Sequence, residues 1–470
     1  MASRYDLVII GAGSAGLTAA SFARRLGASV ALVERDRIGG DCTWTGCVPS
    51  KALLHAAKVA HQMRHADSVG IEPVAPKVDL GRVMTTVWAA IERVYAFETP
   101  DVLTSQGVEV VFGSARFRDS HTLEVDGRLL LARRFVICTG AEPALPPIPG
   151  LSAIPTLTYE NVFELEELPR RLLVLGGGPV GVELSQAFQR LGSHVTIIQR
   201  GERILSVADP QASSVLTRVL GREGVTVCTG AEAERVERTQ SGVRVTTSRG
   251  AFEGDKLLVA LGRRPKVAGL DLEKAGVEFS ENGVTVDDRL RTSQAHIYAA
   301  GDVTGSFQFT HYAGWQGYTA ARNALVPGSG RGTRQTVPWV IFTDPQVGQA
   351  GASEREARER GERVRVHRWP VERIDRAQTV GEQEGFIKLV TRPDGTLLGA
   401  TVVAGAGDEL TNELALAVQN ELKLGELARS IHVYPTYGIG AQQASSDATM
   451  SRFTRGWRGS ALRALVRWWP

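Results

Sequence analysis

The chain must build the same kind of turn twice, and little else about its fold is free once that is met. The first turn, Gly11-Ala-Gly13-Ser-Ala15-Gly16, follows an apolar run from Tyr5 to Ile10 and leads into a helical segment, Leu17 to Leu26. A second strand, Val30 to Val33, ends on Glu34. Glycines at this spacing let backbone amides approach a pyrophosphate at a helix start, and an acid ending the next strand accepts from ribose hydroxyls. The second turn, Gly176-Gly-Gly178-Pro-Val-Gly181, lies between a strand at Arg171 to Leu175 and a helix at Val182 to Leu191, with His194 to Ile198 as the next strand. Two complete units imply two dinucleotides bound together, and electron transfer between them is the simplest purpose.

The units differ at one informative place. Gln199 and Arg200 stand where the second unit should carry its acid, with Arg203 nearby. Loss of a carboxylate and gain of arginines favours a 2′-phosphate, so NADPH is expected over NADH, with ordinary surface charge as the other reading of these arginines.

Between the units lies Gly39-Gly40-Asp-Cys42-Thr-Trp-Thr-Gly-Cys47-Val-Pro49-Ser-Lys51, at the head of an Ala- and Leu-rich helical segment. Cysteines five apart meet if the chain is helical or distorted there. A thiolate at a helix start is stabilised by unpaired amides and the helix dipole. The same spacing serves a redox dithiol, a structural disulfide or half a zinc site. Cys138 and Cys228 are isolated, so no second pair completes a four-thiolate site.

Across 470 residues, Lys+Arg 54 against Asp+Glu 51 leaves a net charge of +3, which gives no basis for nucleic-acid binding. The length implies several domains. The opening Leu7-Val-Ile-Ile10 is too short for a secretion signal, and no run is long enough to span a bilayer. The expected location is cytoplasmic, where structural disulfides are rare, and that favours a catalytic Cys42/Cys47 pair.

Helices are expected over Ala52 to Ala66 and Val83 to Gln106. His55, His61 and His65 have no cysteine or carboxylate partner at ligand spacing, so they read as a solvated face, and no resident metal is expected. Short strands follow at Val108 to Phe112, Phe117, Leu123 to Val125 and Phe135 to Cys138. They lead to Thr139-Gly140 and a proline-rich domain crossing, Pro143 to Pro149. Leu261-Gly262-Arg-Arg-Pro265 brings the chain back. Ile297-Tyr-Ala-Ala-Gly301-Asp302 reads as a buried strand ending in a carboxylate, and Phe309 to Leu325 as a helix aimed at the same cofactor. From Gln335 to about Ser451 the composition shifts to an α+β pattern. It includes Ile341-Phe-Thr-Asp-Pro345, with strands expected near Val364 to His367, Gly385 to Val390 and Leu397 to Val403, and a helix at Asp408 to Leu422.

Together the two glycine turns, the Cys42/Cys47 pair, Thr139-Gly140, Ala299-Ala-Gly301-Asp302 and the C-terminal α+β segment resemble the FAD-dependent pyridine nucleotide-disulfide oxidoreductases, among them dihydrolipoamide dehydrogenase, glutathione reductase and mercuric reductase. The resemblance implies an α/β chain with an α+β C-terminal domain: two Rossmann-like domains, for FAD and NAD(P)H, and a dimerisation domain. The expected limits are 1–145 and 266–334 for the FAD-binding parts, 146–265 for the coenzyme domain, 335–451 for dimerisation and 452–470 for a basic tail. It implies one FAD per subunit, NADPH or NADH as co-substrate, and a homodimer whose last domain completes the partner's site.

Carried over by position, Gly11, Gly13, Ala15, Gly16, Glu34, Gly40, Thr139, Gly140, Gly301 and Asp302 fall to FAD, and Gly176, Gly178, Gly181, Arg200 and Gly262 to the coenzyme. Cys47 resembles the thiolate that meets the flavin, and Cys42 the thiol that meets the acceptor. Lys51 resembles the lysine beside flavin N5, with Glu183 its carboxylate partner.

One segment departs from the family. Where disulfide reductases place His-Pro-Thr, with a glutamate five residues after the histidine, this chain reads His432-Val-Tyr434-Pro-Thr-Tyr-Gly-Ile439. Tyrosine titrates near 10 and is a poor base at neutral pH. A tyrosine here is similar to mercuric reductase, whose acceptor is a soft metal ion that needs no thiol protonation. No cysteine pair precedes the first glycine turn or follows Tyr434, so a mercuric reductase-like flavoprotein is expected rather than a specialised detoxifying enzyme. The expected enzyme therefore passes electrons to a soft metal ion, a quinone or another small-molecule acceptor. A dihydrolipoamide dehydrogenase or low-molecular-weight disulfide reductase, with His432 as base, is the alternative. The tail from Arg452 to Trp469 alternates arginines with aromatic and aliphatic residues. That pattern suits contact with an anionic membrane surface, hence a peripheral location at its inner face and a third reading as a membrane-associated redox-sensing flavoprotein.

Overall fold

The apolar run read as one strand from Tyr5 to Ile10 is two. Ser3–Tyr5 pairs in parallel with Arg128–Ala132, and Leu7–Ile10 enters a different sheet. Asp6 makes the break: its carboxylate accepts from the Ser29 amide at 3.0 Å while its own amide donates to Ser29 Oγ at 2.9 Å. Leu7–Ile10 then lies between Val30–Glu34 and Phe135–Ile137 in a five-stranded parallel sheet edged by Val108–Phe112 and Ile297–Ala299. Leu7–Ile10, Val30–Val33, Phe135–Ile137 and Ile297–Ala299 are buried on both faces, which is why they read as continuous apolar runs, whereas the edge strand Val108–Phe112 exposes Glu109 and Phe112.

The computed structural model describes residues 3–328, 330–454 and 456–468. One compact unit holds Met1–Met63, Ala75–Arg200 and Ala231–Gln335; the other holds Arg64–Val74, Gly201–Gly230 and Thr336–Pro470. In the first unit the helix Ser14–Arg25 follows the first glycine turn, and Thr310–Leu325 packs across it. A Cβ on Gly317 would lie 2.1 Å from the Ala15 carbonyl oxygen, so glycine permits that close crossing.

The second Rossmann-like element places Arg171–Leu175 between His194–Gln199 and Lys256–Val259, all parallel, with the helix Pro179–Leu191 after its glycine turn. The two turns match in detail. A Cβ on Gly16 would lie 1.9 Å from the Gly11 carbonyl oxygen, and one on Gly181 would lie 2.0 Å from that of Gly176. Both contacts are with backbone, which cannot swing away. Gly181→Ala is therefore expected to destabilise by about 1–3 kcal/mol, seen as a lowered thermal midpoint, with weaker coenzyme binding.

The expected helix Val83 to Gln106 is also divided, into Leu80–Tyr95 and Pro100–Ser105. Thr99 caps the second piece, accepting from the Val102 amide, and Pro100 cannot continue the first. The helix expected from Ala52 begins earlier, at Cys47.

In the second unit, Trp339–Ile341, Gln346–Gly351, Leu397–Ala404, Phe386–Thr391 and Arg365–Pro370 form an antiparallel sheet in that order. Gly407–Gln419 and Ile439–Thr454 are its principal helices. Lys388 is buried there between Asp209, 2.8 Å away, and Glu354, 2.7 Å away. The tail forms a helix, Gly456–Trp468, on which Leu465, Val466 and Trp468 are exposed. Of the tail residues, Arg455, Trp469 and Pro470, and the side chains of Arg452, Phe453, Trp457, Arg458 and Leu462, lie outside the described residues. Among the described residues no helix is long and apolar enough to cross a membrane.

Candidate active site

The dithiol stretch folds as two helices with a tight link. Gly39 and Gly40, at φ of 104° and 59°, turn the chain into the short helix Gly40–Trp44, which carries Cys42. Thr45 and Gly46 break it, and Cys47 is the first residue of Cys47–Arg64. A Cβ on Gly46 would come within 2.7 Å of the Asp41 carbonyl oxygen, so glycine allows the fold-back that brings the cysteines together. Trp44 anchors the short helix by donating its indole N–H to the Ile38 carbonyl at 2.7 Å and packing against Tyr95.

The two thiols are unlike. Cys47 receives a hydrogen bond from Cys42 and lies 3.3 Å from Thr310 Oγ1; these contacts, with the Lys51 ammonium, outweigh burial and pull its pKa down to about 6. Cys42, which donates that hydrogen bond, is half-buried and near Glu98, and is pushed well above the ordinary thiol range. Cys47 is therefore the thiolate and Cys42 the thiol at neutral pH. Lys51 stands one helical turn beyond Cys47, and its Nζ lies 2.8 Å from Oε2 of Glu183, a buried residue on Pro179–Leu191.

Glu34 folds back on its own turn, accepting from the amides of Ala12 and Asp36, each at 2.8 Å. Gln199 does the same in the second unit, accepting from the Gly177 amide at 2.9 Å. An amide thus takes the carboxylate's place without its charge. Arg200 is largely exposed and lies 3.7 Å from Glu232. Arg203 belongs to the second compact unit and donates to the Ser206 carbonyl.

Both turns suit dinucleotides. Gly13 and Gly178 head their helices with no side-chain cap, which leaves backbone amides for a phosphate. A Cβ on Gly178, Gly140 or Gly262 would meet nothing within 4 Å, whereas one on Gly13 would stop 3.9 Å from Gly40. Asp302 follows Gly301 at the end of the strand Ile297–Ala299 and receives a hydrogen bond from Arg263, while burial raises its carboxyl pKa. Thr139 donates to the Lys266 carbonyl at 2.6 Å.

His432 and Tyr434 lie in the second unit. Tyr434 donates its hydroxyl to Asp375 at 2.8 Å, which raises its pKa further above neutrality. His432 Nε2 lies 2.6 Å from Glu413 Oε1, and its Nδ1 lies 3.0 Å from the Ser430 carbonyl oxygen. Burial opposes its charge, but Glu413 and the Ser430 carbonyl together outweigh burial and raise its pKa.

Several residues at this site were not anticipated from sequence. Thr310 lies in the segment read only as a helix, Phe309 to Leu325, yet its hydroxyl touches Cys47. Glu98, whose pKa is raised by burial, accepts from Thr43 at 3.1 Å beside the Cys42 helix. Arg263 reaches both Asp41 and Asp302. Side chains that meet across long separations leave no local signature. Among the described residues no group of three or more histidines, cysteines or acids could hold a metal ion.

A family model described as pyridine nucleotide-disulphide oxidoreductase matches residues 5–317, and the dimerisation domain of the same family matches residues 337–444. The chain is 37% identical over 446 residues to a mercuric reductase of Bacillus cereus, covering 94% of this chain and 71% of that protein. It is 37% identical over 453 residues to a dihydrolipoyl dehydrogenase of Thermus scotoductus, covering 94% and 96%. The Cu(II) complex of the HOCl-induced flavoprotein disulfide reductase RclA from Escherichia coli superposes with a TM-score of 0.85 at 30% identity, covering 94% of this chain and 99% of that one.

Proposed function

From the chain's membership of the pyridine nucleotide-disulphide oxidoreductases, FAD-containing enzymes that use NAD(P)H and a redox-active disulfide, we propose an oxidoreductase whose terminal acceptor is a soft metal ion, a quinone or another small molecule rather than an organic disulfide. The observation that carries this reading is Tyr434, whose hydroxyl is committed to Asp375 in the segment where disulfide reductases keep a histidine. An organic disulfide must be released as protonated thiols, whereas a metal ion held by thiolates need not bring protons. The mercuric reductase relatives and the copper complex of RclA favour a metal-ion acceptor.

In this reading the amides at the two glycine turns would bind the dinucleotide phosphates, and Asp302 would help hold the FAD. Bound FAD supplies the two-electron relay between NAD(P)H and the dithiol. Cys47 holds its negative charge against Thr310 and Lys51, Glu183 keeps Lys51 in place, and Cys42 keeps its proton until it meets the acceptor. A homodimer fits the dimerisation domain, on which Ile431 and Val433, flanking His432, are 99% and 77% exposed in the single chain.

Turnover with mercuric or cupric ion or a naphthoquinone is expected to exceed turnover with lipoamide or glutathione disulfide by at least about 100-fold, the range of a missing proton-transfer group. Comparable rates with lipoamide would overturn the proposal. A second reading, a disulfide reductase, is favoured by the His432–Glu413 pair, an imidazole backed by a carboxylate. In that case His432→Asn would remove lipoamide turnover while sparing metal turnover.

The coenzyme reading rests on Gln199 and Arg200 and favours NADPH. Gln199→Glu is expected to raise the KM for NADPH by about tenfold or more through like-charge repulsion at a 2′-phosphate, with much less effect on NADH. Steady-state kinetics with both coenzymes checks this.

A further inference from the structure

The residue before Cys42 is an acid, and the groups that answer its charge come from far along the chain. Asp41 Oδ2 accepts from Arg263 Nη2 at 2.5 Å and from the Tyr159 hydroxyl at 3.3 Å. Arg263 also donates from Nη1 to Asp302 at 2.6 Å and from Nε to the Tyr159 oxygen at 3.2 Å, with its guanidinium 5.1 Å above the Tyr159 ring. The strand Arg263–Pro265 that carries it pairs antiparallel with Ala141–Pro143, so the two segments that cross between the nucleotide-binding elements hold it in place. One planar fork therefore joins the Cys42 helix to the end of the strand leading to Asp302. The side chains of Arg263 and Asp41 are 22% and 29% exposed, too little for water to screen the pair fully.

We propose that Arg263 is a positioning residue for the dithiol: its guanidinium, shared between Asp41 and Asp302, ties the two together and offsets the Asp41 charge beside the neighbouring sulfurs. Lys266 does not take its place, since it stands 3.9 Å from Asp41 and is shared with Glu160 at 3.6 Å. The other charged groups bearing on the thiols are Lys51 and Glu183 at Cys47 and Glu98 at Cys42. An unpaired charge within about 10 Å in an effective dielectric near 20 changes a thiol's protonation midpoint by about one unit, less in salt.

The inference rests on the reading of Cys42 and Cys47 as a redox dithiol, and the test separates the two. Holoenzyme is reduced anaerobically with NADPH and alkylated with iodoacetamide across a pH series, and labelling at each cysteine is resolved by peptide mass spectrometry. If wild-type labelling does not depend on NADPH, the dithiol reading fails. Given a working dithiol, Arg263→Gln is expected to raise the Cys47 midpoint by about one unit, with Arg263→Lys in between. Asp41→Asn, which removes one carboxylate and leaves Arg263 paired with Asp302 alone, should shift the midpoint down, and the double variant Asp41→Asn/Arg263→Gln, with the same net charge as wild type, should return it close to wild type. Equal upward shifts in Arg263→Gln and the double variant would mean that Arg263 acts only as a structural prop, and would overturn the proposal. Should Arg263→Gln fail to fold, Asp41→Asn decides: an unmoved or raised midpoint overturns the proposal.

Discussion

Cys42→Ser is expected to lower NAD(P)H-dependent turnover of a metal-ion or disulfide acceptor by about 10³-fold or more, because the thiol that meets the acceptor is gone. Cys47 should remain a stable thiolate in this variant, since a serine hydroxyl can still donate a hydrogen bond where the Cys42 thiol does. The long-wavelength absorbance of a thiolate against oxidised flavin should then be present before any reductant is added and fade as NAD(P)H reduces the flavin, and Cys47→Ser should abolish it. The pH dependence has a definite sign. With the Cys47 pKa lowered to about 6, the fraction of thiolate rises as pH climbs through that value and is flat above it, while Cys42 keeps its proton throughout. Iodoacetamide labelling of Cys47 in the reduced enzyme should follow that curve. Undiminished metal turnover by Cys42→Ser would mean that electrons bypass the dithiol. Quinone reduction tests the branch directly: if quinones take electrons ahead of the dithiol, Cys42→Ser spares that activity, and an equal loss removes the direct route.

The second large effect is expected at Lys51. Its ammonium lies 2.8 Å from buried Glu183 and one helical turn from Cys47, so it answers two negative charges. Lys51→Met leaves both without it. The rate of reduction by NAD(P)H should fall about 100-fold, as when a preorganised charge-stabilising group is removed, and the Cys47 alkylation midpoint should rise. Stability should fall by about 1–3 kcal/mol, at the lower end for a broken ion pair because Lys51 is 35% exposed. Lys51→Met/Glu183→Leu separates the roles: it should regain stability, since no buried carboxylate remains, but not rate. Stopped-flow reduction and thermal melting measure the two quantities, and recovery of rate in the double variant would show that Lys51 serves only to satisfy Glu183.

Much of this was legible before any coordinates. Both glycine turns, the strands after them, the strand before the second and the dithiol stretch could be placed because each is a local event: a backbone approach that excludes Cβ, a change of apolar period, a cysteine spacing. The opening strand was misread because Asp6 looks like one polar residue in an apolar run, and only its reciprocal hydrogen bonds with Ser29 show that the chain changes sheets there. The long helix after Val83 was misread because helical spacing persisted across Thr99-Pro100, where capping ends it.

What the sequence determined by itself is the double nucleotide-binding architecture, the dithiol and the departure at Tyr434, since each is written in residues close together along the chain. Tertiary structure alone decided that Cys47 is the acidic thiol, that Thr310 touches it, that His432 pairs with Glu413, and that Arg263 spans Asp41 and Asp302. Apart from the contacts of Cys47 with Cys42 and Lys51, those relations join residues 19 to 263 positions apart, and their strength depends on distance and burial, which exist only once the sheets have closed.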